Sequence, residues 1–241
     1  STCKESELSK EYGTHVETER EVSASHSPYL VSRLKHQKPN LYGVAKFAIV
    51  AEEIRKVASC LQRPVRILDL GCSTAISKNY LIDELGEGSF EYCGVDYEDA
   101  FEPDIVMDIR EVNQRKDEIP WTPDVILLLD VLEHLPGKQK DIVTVMSECN
   151  HLIPHHGAVL AVVPQLYRLD RLKLPHLHYP EHQVRLTLEE WLEIVASTTS
   201  IHKVHGIGYI SCLSYLPMIS PYYKEHNLHG DLFRYLRGSF F

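Results

Sequence analysis

Long hydrophobic runs are missing from this chain: no stretch approaches the roughly 18 consecutive apolar residues that cross a bilayer. The opening residues, STCKESELSKEYGTHVETER, lack the apolar core of a secretory signal. Neither export nor membrane insertion is expected. Paired cysteines are missing too. Cys3, Cys60, Cys72, Cys93, Cys149 and Cys212 are scattered with no Cys-x-x-Cys, which speaks against a zinc site or a disulfide frame and for buried thiols in a reducing, cytoplasmic setting. Positive charge is in deficit, 25 Lys and Arg against 34 Asp and Glu, for a formal net charge of −9. A chain of that sign repels polyphosphate, so extended nucleic-acid binding is not expected, while a local basic patch still has room to receive an anionic substrate.

What is present is enough for one substantial core: 241 residues, 44% hydrophobic and 24% charged. Residues 1–40 are polar and without a sustained period, and read as a flexible arm or cap. Residues 41–61 place Val44, Phe47, Ala48, Ala51, Ile54, Val57 and Ala58 at helical spacing, which predicts an amphipathic helix before the main sheet. Short apolar runs then alternate with helical patterns: VRILDL, a helix over about 76–85, FEYCGVD, DIVMDI, PDVILLLD, a helix over about 138–152, and AVLAVVP. Strands this short and this continuously apolar are buried on both faces, so the fold class is α/β, a doubly wound, mostly parallel Rossmann-like sheet. Residues 41–241 form one domain in this reading.

Glycine is sparse at the turn that matters most. In RILDLGCSTAISKNYL, Gly71 stands between a strand and a helix, but Ser73 and Ala75 occupy the places where a phosphate-cradling turn would carry further glycines. Ligands of such sheets bind outside the carboxyl ends of the strands. Asp69, Asp96, Asp108 and Asp130 close the first four strands in this reading, which puts four acids along that edge.

ILDLGCSTA, YCGVD, MDI and PDVILLLDVLEHLPG resemble the class I S-adenosylmethionine-dependent methyltransferases, over residues 65–191 and in the small-molecule branch. The resemblance implies S-adenosyl-L-methionine as cofactor and S-adenosyl-L-homocysteine as product. It gives Asp69, Gly71 and Ser73 to the turn that meets the aminocarboxypropyl group, with the Ser73 hydroxyl donating to its carboxylate. Asp96 would hold the ribose, Tyr97 would pack on the adenine, Asp108 and the amide of Ile109 would read the adenine edge, and Leu129 and Asp130 would lie against the methionine portion.

Methyl transfer needs alignment, exclusion of water and, for some acceptors, removal of a proton. His134, in DVLEHL, and His182, in HLHYPEHQVRLT, are the candidate bases. No residue is assigned to a metal. Asp130, Glu133, His134 and His182 nevertheless echo the ligands of Hen-type small-RNA methyltransferases and of certain quinone O-methyltransferases, and His176 and His178 lie close by in sequence. A metal-assisted O-methyltransferase is therefore one alternative, with magnesium or a transition ion as the suited metal. A non-catalytic adenosylmethionine-binding partner protein is another, and a nicotinamide-dependent oxidoreductase a third.

The expected acceptor is a small molecule, methylated on O, N or C. Residues 165–186 break the strand and helix patterns and are expected to form a substrate lid, with Arg168, Arg171 and Lys173 offering a cationic wall. Thr187 and Glu190 then make a capping box for a last helix. The aromatic-rich tail from Gly206 carries no legible final strand, so an atypical carboxyl end is expected.

Overall fold

The first strand, β1 (Val65–Leu70), is the centre of the sheet. In the computed structural model, which describes residues 41–164, 182–201 and 203–206 and only the backbone of 41–45, it is hydrogen-bonded on both sides. All these residues lie in the unit Gln37–Phe241. Strand β2 (Phe90–Asp96) and then β3 (Ile105–Val106) flank β1 on one side, and β4 (Val125–Leu129) and then β5 (Ala158–Val162) on the other. All neighbours are parallel, in the order β3-β2-β1-β4-β5. The order reverses between β1 and β4, which opens a crevice at their carboxyl ends.

Alternation along the strands builds two cores. Val65 and Ile67 of β1 and Val125 and Leu127 of β4 face Val50, Ala51 and Ile54 of helix α1 (Leu41–Ala58) and Leu81 of helix α2 (Ile76–Leu85). Leu68, Leu70, Ile126 and Leu128 face the other way, onto Ile142, Val145 and Met146 of helix α3 (Gln139–Leu152) and Trp191 of helix α4 (Leu188–Ala196). A period of two in the strands thus feeds a helical layer on each face, as both-sided burial requires.

Most of the expected elements are found, with two corrections. Helix α1 stops at Ala58 rather than near 61, because Cys60 and Leu61 donate to the carbonyls of Val57 and Ala58 in a tightened final turn. The third strand shrinks from DIVMDI to Ile105–Val106. Its flanking acids are otherwise engaged: Asp104 accepts from the Gly94 N–H at 2.7 Å, and Asp108 caps a 3-10 turn at Ile109–Glu111. The capping box is present, with the Thr187 N–H donating to Glu190 Oε2 at 2.7 Å and the Glu190 N–H to Thr187 Oγ1.

Of the thiols expected to be buried, Cys72, Cys93 and Cys149 are, and Cys60 is exposed. Burial pushes Cys93 up to about 11 and Cys149 to about 12. Among the described residues no helix is long and apolar enough to cross a membrane. The arm over 1–40, the lid residues 165–181, the tail from 207, Cys3 and Cys212 lie outside the described residues.

Candidate functional site

Gly71 has φ +79, and its glycine identity is required by the chain itself: a Cβ there would lie 2.9 Å from Val131 Cβ and closer still to Val131 Cγ2. The Gly71 N–H is spent on the Val95 carbonyl at 2.8 Å, and the Cys72 N–H on the same oxygen at 3.1 Å. Ser73 (φ 49) and Ala75 (φ 52) are also left-handed, at a cost of about 1 kcal/mol each relative to glycine. The turn therefore has the backbone of a glycine-rich loop without the glycines. It is held by the Ser73 N–H donating to Asp96 Oδ2 at 2.8 Å and the Ala75 N–H donating to the Cys72 carbonyl at 2.9 Å. The Ser73 hydroxyl is buried and makes no hydrogen bond among the described residues.

The four strand-end acids turn out to have different surroundings. Asp69 is not at the edge but inside β1, level with Gly94 and Leu127. It lies on the same face as Ile67, where it accepts from the Ser77 hydroxyl of α2 and from the Tyr92 hydroxyl at 2.7 Å. Burial raises its pKa above 3.8. Asp96 does end β2. It is 5% exposed, accepts from the Ser73 N–H and, at 3.0 Å, from the Glu98 N–H, and is raised chiefly by burial. A carboxylate has about four lone-pair directions, so two backbone donors leave capacity for a ligand hydroxyl. Tyr97, beside it, is 74% exposed.

Asp108 lies two residues past β3 and is paired with Arg110, whose Nε donates to its two oxygens at 2.9 and 3.1 Å. That guanidinium holds the Asp108 carboxyl below its usual 3.8. Arg110 also donates to Asp141 Oδ2 at 2.9 Å, tying Ile109 and its turn to α3. Asp108 is thus already bidentate to a cation, and an adenine amino group would share this carboxylate with Arg110.

At the end of β4, Leu129 packs in the α1 core and Asp130 turns left-handed, φ 56. Asp130 Oδ2 accepts from Lys46 Nζ of α1 at 2.7 Å. Next comes a 3-10 turn, Leu132–His134, in which Glu133 is 1% exposed and its carbonyl accepts from the Val184 N–H at 2.9 Å. That bond ties residue 184 to the turn that follows β4. His182 then meets His134 edge to face, ring centroids 4.9 Å apart, with His134 Nε2 4.0 Å from Glu133 Oε1. Starting three residues after His134 and one after His182, residues 137–140 and 183–186 line a cleft of about 440 Å³, with Lys138, Lys140 and Arg185 among them.

No family model and no curated protein matches the sequence. Solved structures do. A SAM-dependent methyltransferase from Archaeoglobus fulgidus matches with TM-score 0.50 and 17% identity, over 77% of this chain and 79% of its own. The plantazolicin methyltransferase BpumL, solved with a pentazolic desmethyl analogue and SAH, matches with TM-score 0.50 and 14% identity, over 76% and 74%. The chain has the class I methyltransferase fold. The CurJ carbon methyltransferase is also similar, with TM-score 0.48 and 19% identity over 68% of this chain, which spans about half of its length, 51%.

In this methyltransferase fold the Gly71 turn, Asp96, Asp130 and the Glu133–His134–His182 group share the carboxyl edge of the sheet. Of the four residues that echo a metal set, three come together: the ligand atoms of Glu133, His134 and His182 lie within 4.8 Å of one another. The fourth, Asp130, is turned to Lys46 instead. Lys46, Ser77 and Tyr92 were not visible as site residues in the sequence. His176, His178, Arg168, Arg171 and Lys173 lie outside the described residues.

Proposed function

We propose that this chain is an S-adenosyl-L-methionine-dependent methyltransferase that acts on a small molecule, and that it does so as a catalyst rather than as a binding partner alone. The observation that carries the reading is the buried Asp96 carboxylate, which accepts from the Ser73 N–H, together with a Ser73 hydroxyl that is buried and makes no hydrogen bond among the described residues. Asp96 retains acceptor capacity for ribose hydroxyls, and Ser73 Oγ is a buried donor with no hydrogen-bond partner among the described residues, so both fit an adenosyl group carrying an amino-acid end. The exposure of the Tyr97 ring beside Asp96 supports a role in covering adenine. The cofactor supplies an activated methyl group, and the protein's own share is alignment, a dry site and disposal of a proton.

His134 and His182 suit the last of these. Two imidazoles in edge contact, one beside the Glu133 carboxylate, can take a proton from a hydroxyl or amine acceptor and stabilise the cation that results. The cleft of about 440 Å³ has room for a small molecule, and Lys138, Lys140 and Arg185 in its lining favour an acceptor with an anionic group.

The convergence of Glu133, His134 and His182 favours one second reading, in which one carboxylate and two imidazoles hold a divalent ion that orients an acceptor oxygen. The experiment that tests the function is a metabolite screen with isotopically labelled methyl donor, run with and without EDTA. Label transfer insensitive to EDTA supports the histidine base, transfer abolished by EDTA and restored by a divalent ion supports the metal, and cofactor binding without any transfer leaves a non-catalytic binding protein.

A further inference from the structure

Helix α1 lies outside the motifs that point to the methyltransferase fold, yet it delivers a buried cation to the carboxyl edge of the sheet. Lys46 is 9% exposed, with its ammonium 2.7 Å from Asp130 Oδ2 and 4.9 Å from the Phe47 ring centroid. Its position is fixed from its neighbour: Phe47 stacks on Tyr80 of α2 at 4.4 Å, and both rings are buried. Burying an ammonium is expensive unless its charge is met, and here it is met at the mouth of the crevice between β1 and β4.

Four backbone donors of the β1 turn are already committed within the protein. The N–H groups of Gly71 and Cys72 go to the Val95 carbonyl, that of Ser73 to Asp96 and that of Ala75 to Cys72. Four N–H groups that would cradle a ligand carboxylate in an open glycine-rich turn are thus committed within the protein. Asp96 ends β2, Asp130 follows β4 and Asp69 is buried one residue inside the end of β1, and a carboxylate arriving at this edge would meet their field unless a positive charge faced it. Lys46 is close enough that its charge opposes protonation of Asp69 as well as pairing with Asp130.

We propose that Lys46 and Asp130 form a clamp for a zwitterionic amino-acid group, Lys46 with the Ser73 hydroxyl receiving the α-carboxylate and Asp130 receiving the α-ammonium. The inference rests on the cofactor reading above and adds to it the residue that recognises the carboxylate. The resting ion pair is then a stand-in: each partner already holds the charge that its counterpart on the ligand would supply. Ion pairs of this kind reward a ligand that carries both charges and penalise one that carries a single charge, because the second protein group is left buried beside it.

Calorimetry with three probes tests it: S-adenosyl-L-homocysteine, its decarboxylated analogue, and 5′-methylthioadenosine, which has neither charge. Wild type is expected to prefer S-adenosyl-L-homocysteine over the decarboxylated analogue by about 10- to 100-fold. Lys46→Gln should lose most of that preference while its affinity for 5′-methylthioadenosine changes less than about twofold. Equal wild-type affinity for the first two probes overturns the clamp without touching the cofactor reading, and this arm needs no variant to fold. A Lys46→Gln protein that retains the wild-type preference, or that weakens all three probes alike, overturns it too. Wild type that binds none of the three overturns the cofactor reading and the clamp with it.

Discussion

The Ser73 N–H donates to Asp96 Oδ2 at 2.8 Å, so the acid that ends β2 is a structural partner of the turn that follows β1. Its other oxygen accepts from Glu98. Replacing Asp96 therefore does more than remove a ligand contact. Asp96→Ala should lower unfolding free energy by about 2–4 kcal/mol, because two backbone donors lose their acceptor. It should also weaken adenosylmethionine by about 30- to 150-fold. Urea melts alongside calorimetry separate the two effects, and an unchanged melt with weakened binding would mean that the turn does not depend on this bond.

Gly71 and Val131 make a second coupled pair. Gly71→Ala combines a left-handed backbone with overlap on Val131, and should cost about 2–4 kcal/mol. In the double variant Gly71→Ala with Val131→Ala the overlap disappears and only the backbone cost, about 1 kcal/mol, should remain on the glycine leg of the cycle. Additive values would show that the side chain of Val131 is not what excludes a Cβ.

The carboxyl of Glu53 on α1 is drawn down from 4.5 to about 2, first by Lys56 and then by Lys203 and His205. Lys203 Nζ at 2.9 Å and His205 Nε2 at 3.0 Å both reach Glu53 Oε1. A depressed folded pKa contributes stability that is present above the unfolded value and is lost as pH falls through the folded one. The stability gap between wild type and Glu53→Gln should be constant above about pH 5 and close steadily toward pH 2. Denaturant melts across that range check it, and a gap that widens on acidification would reverse the sign.

His134→Asn and His182→Asn should each lower kcat by about 10²- to 10⁴-fold while leaving adenosylhomocysteine affinity within about twofold. Loss of fold or of cofactor affinity in these variants would instead assign the imidazole pair to the architecture of the β4 turn.

Much of this architecture is legible in the sequence where one pattern dominates. Strands β1 and β2 and helix α2 begin and end where alternation, helical spacing and Gly71 place them. The third strand is not, because DIVMDI is apolar enough for six residues but its acids are bound by Gly94 and Arg110. Asp69 reads as an edge acid, although its parity with Val65 and Ile67 already assigns it to the α1 and α2 face, where Ser77 waits. Lys46 has no sequence signal at all. One lysine in an amphipathic helix looks like its solvated face, and only the packing of α1 in the core it shares with β1 and β4 brings it to Asp130.

The most direct measurement is calorimetric titration of the purified chain with S-adenosyl-L-homocysteine. The cofactor reading predicts saturable one-to-one binding that weakens by more than about tenfold in Asp96→Ala. Absence of binding up to about 1 mM, or binding indifferent to Asp96, would contradict it.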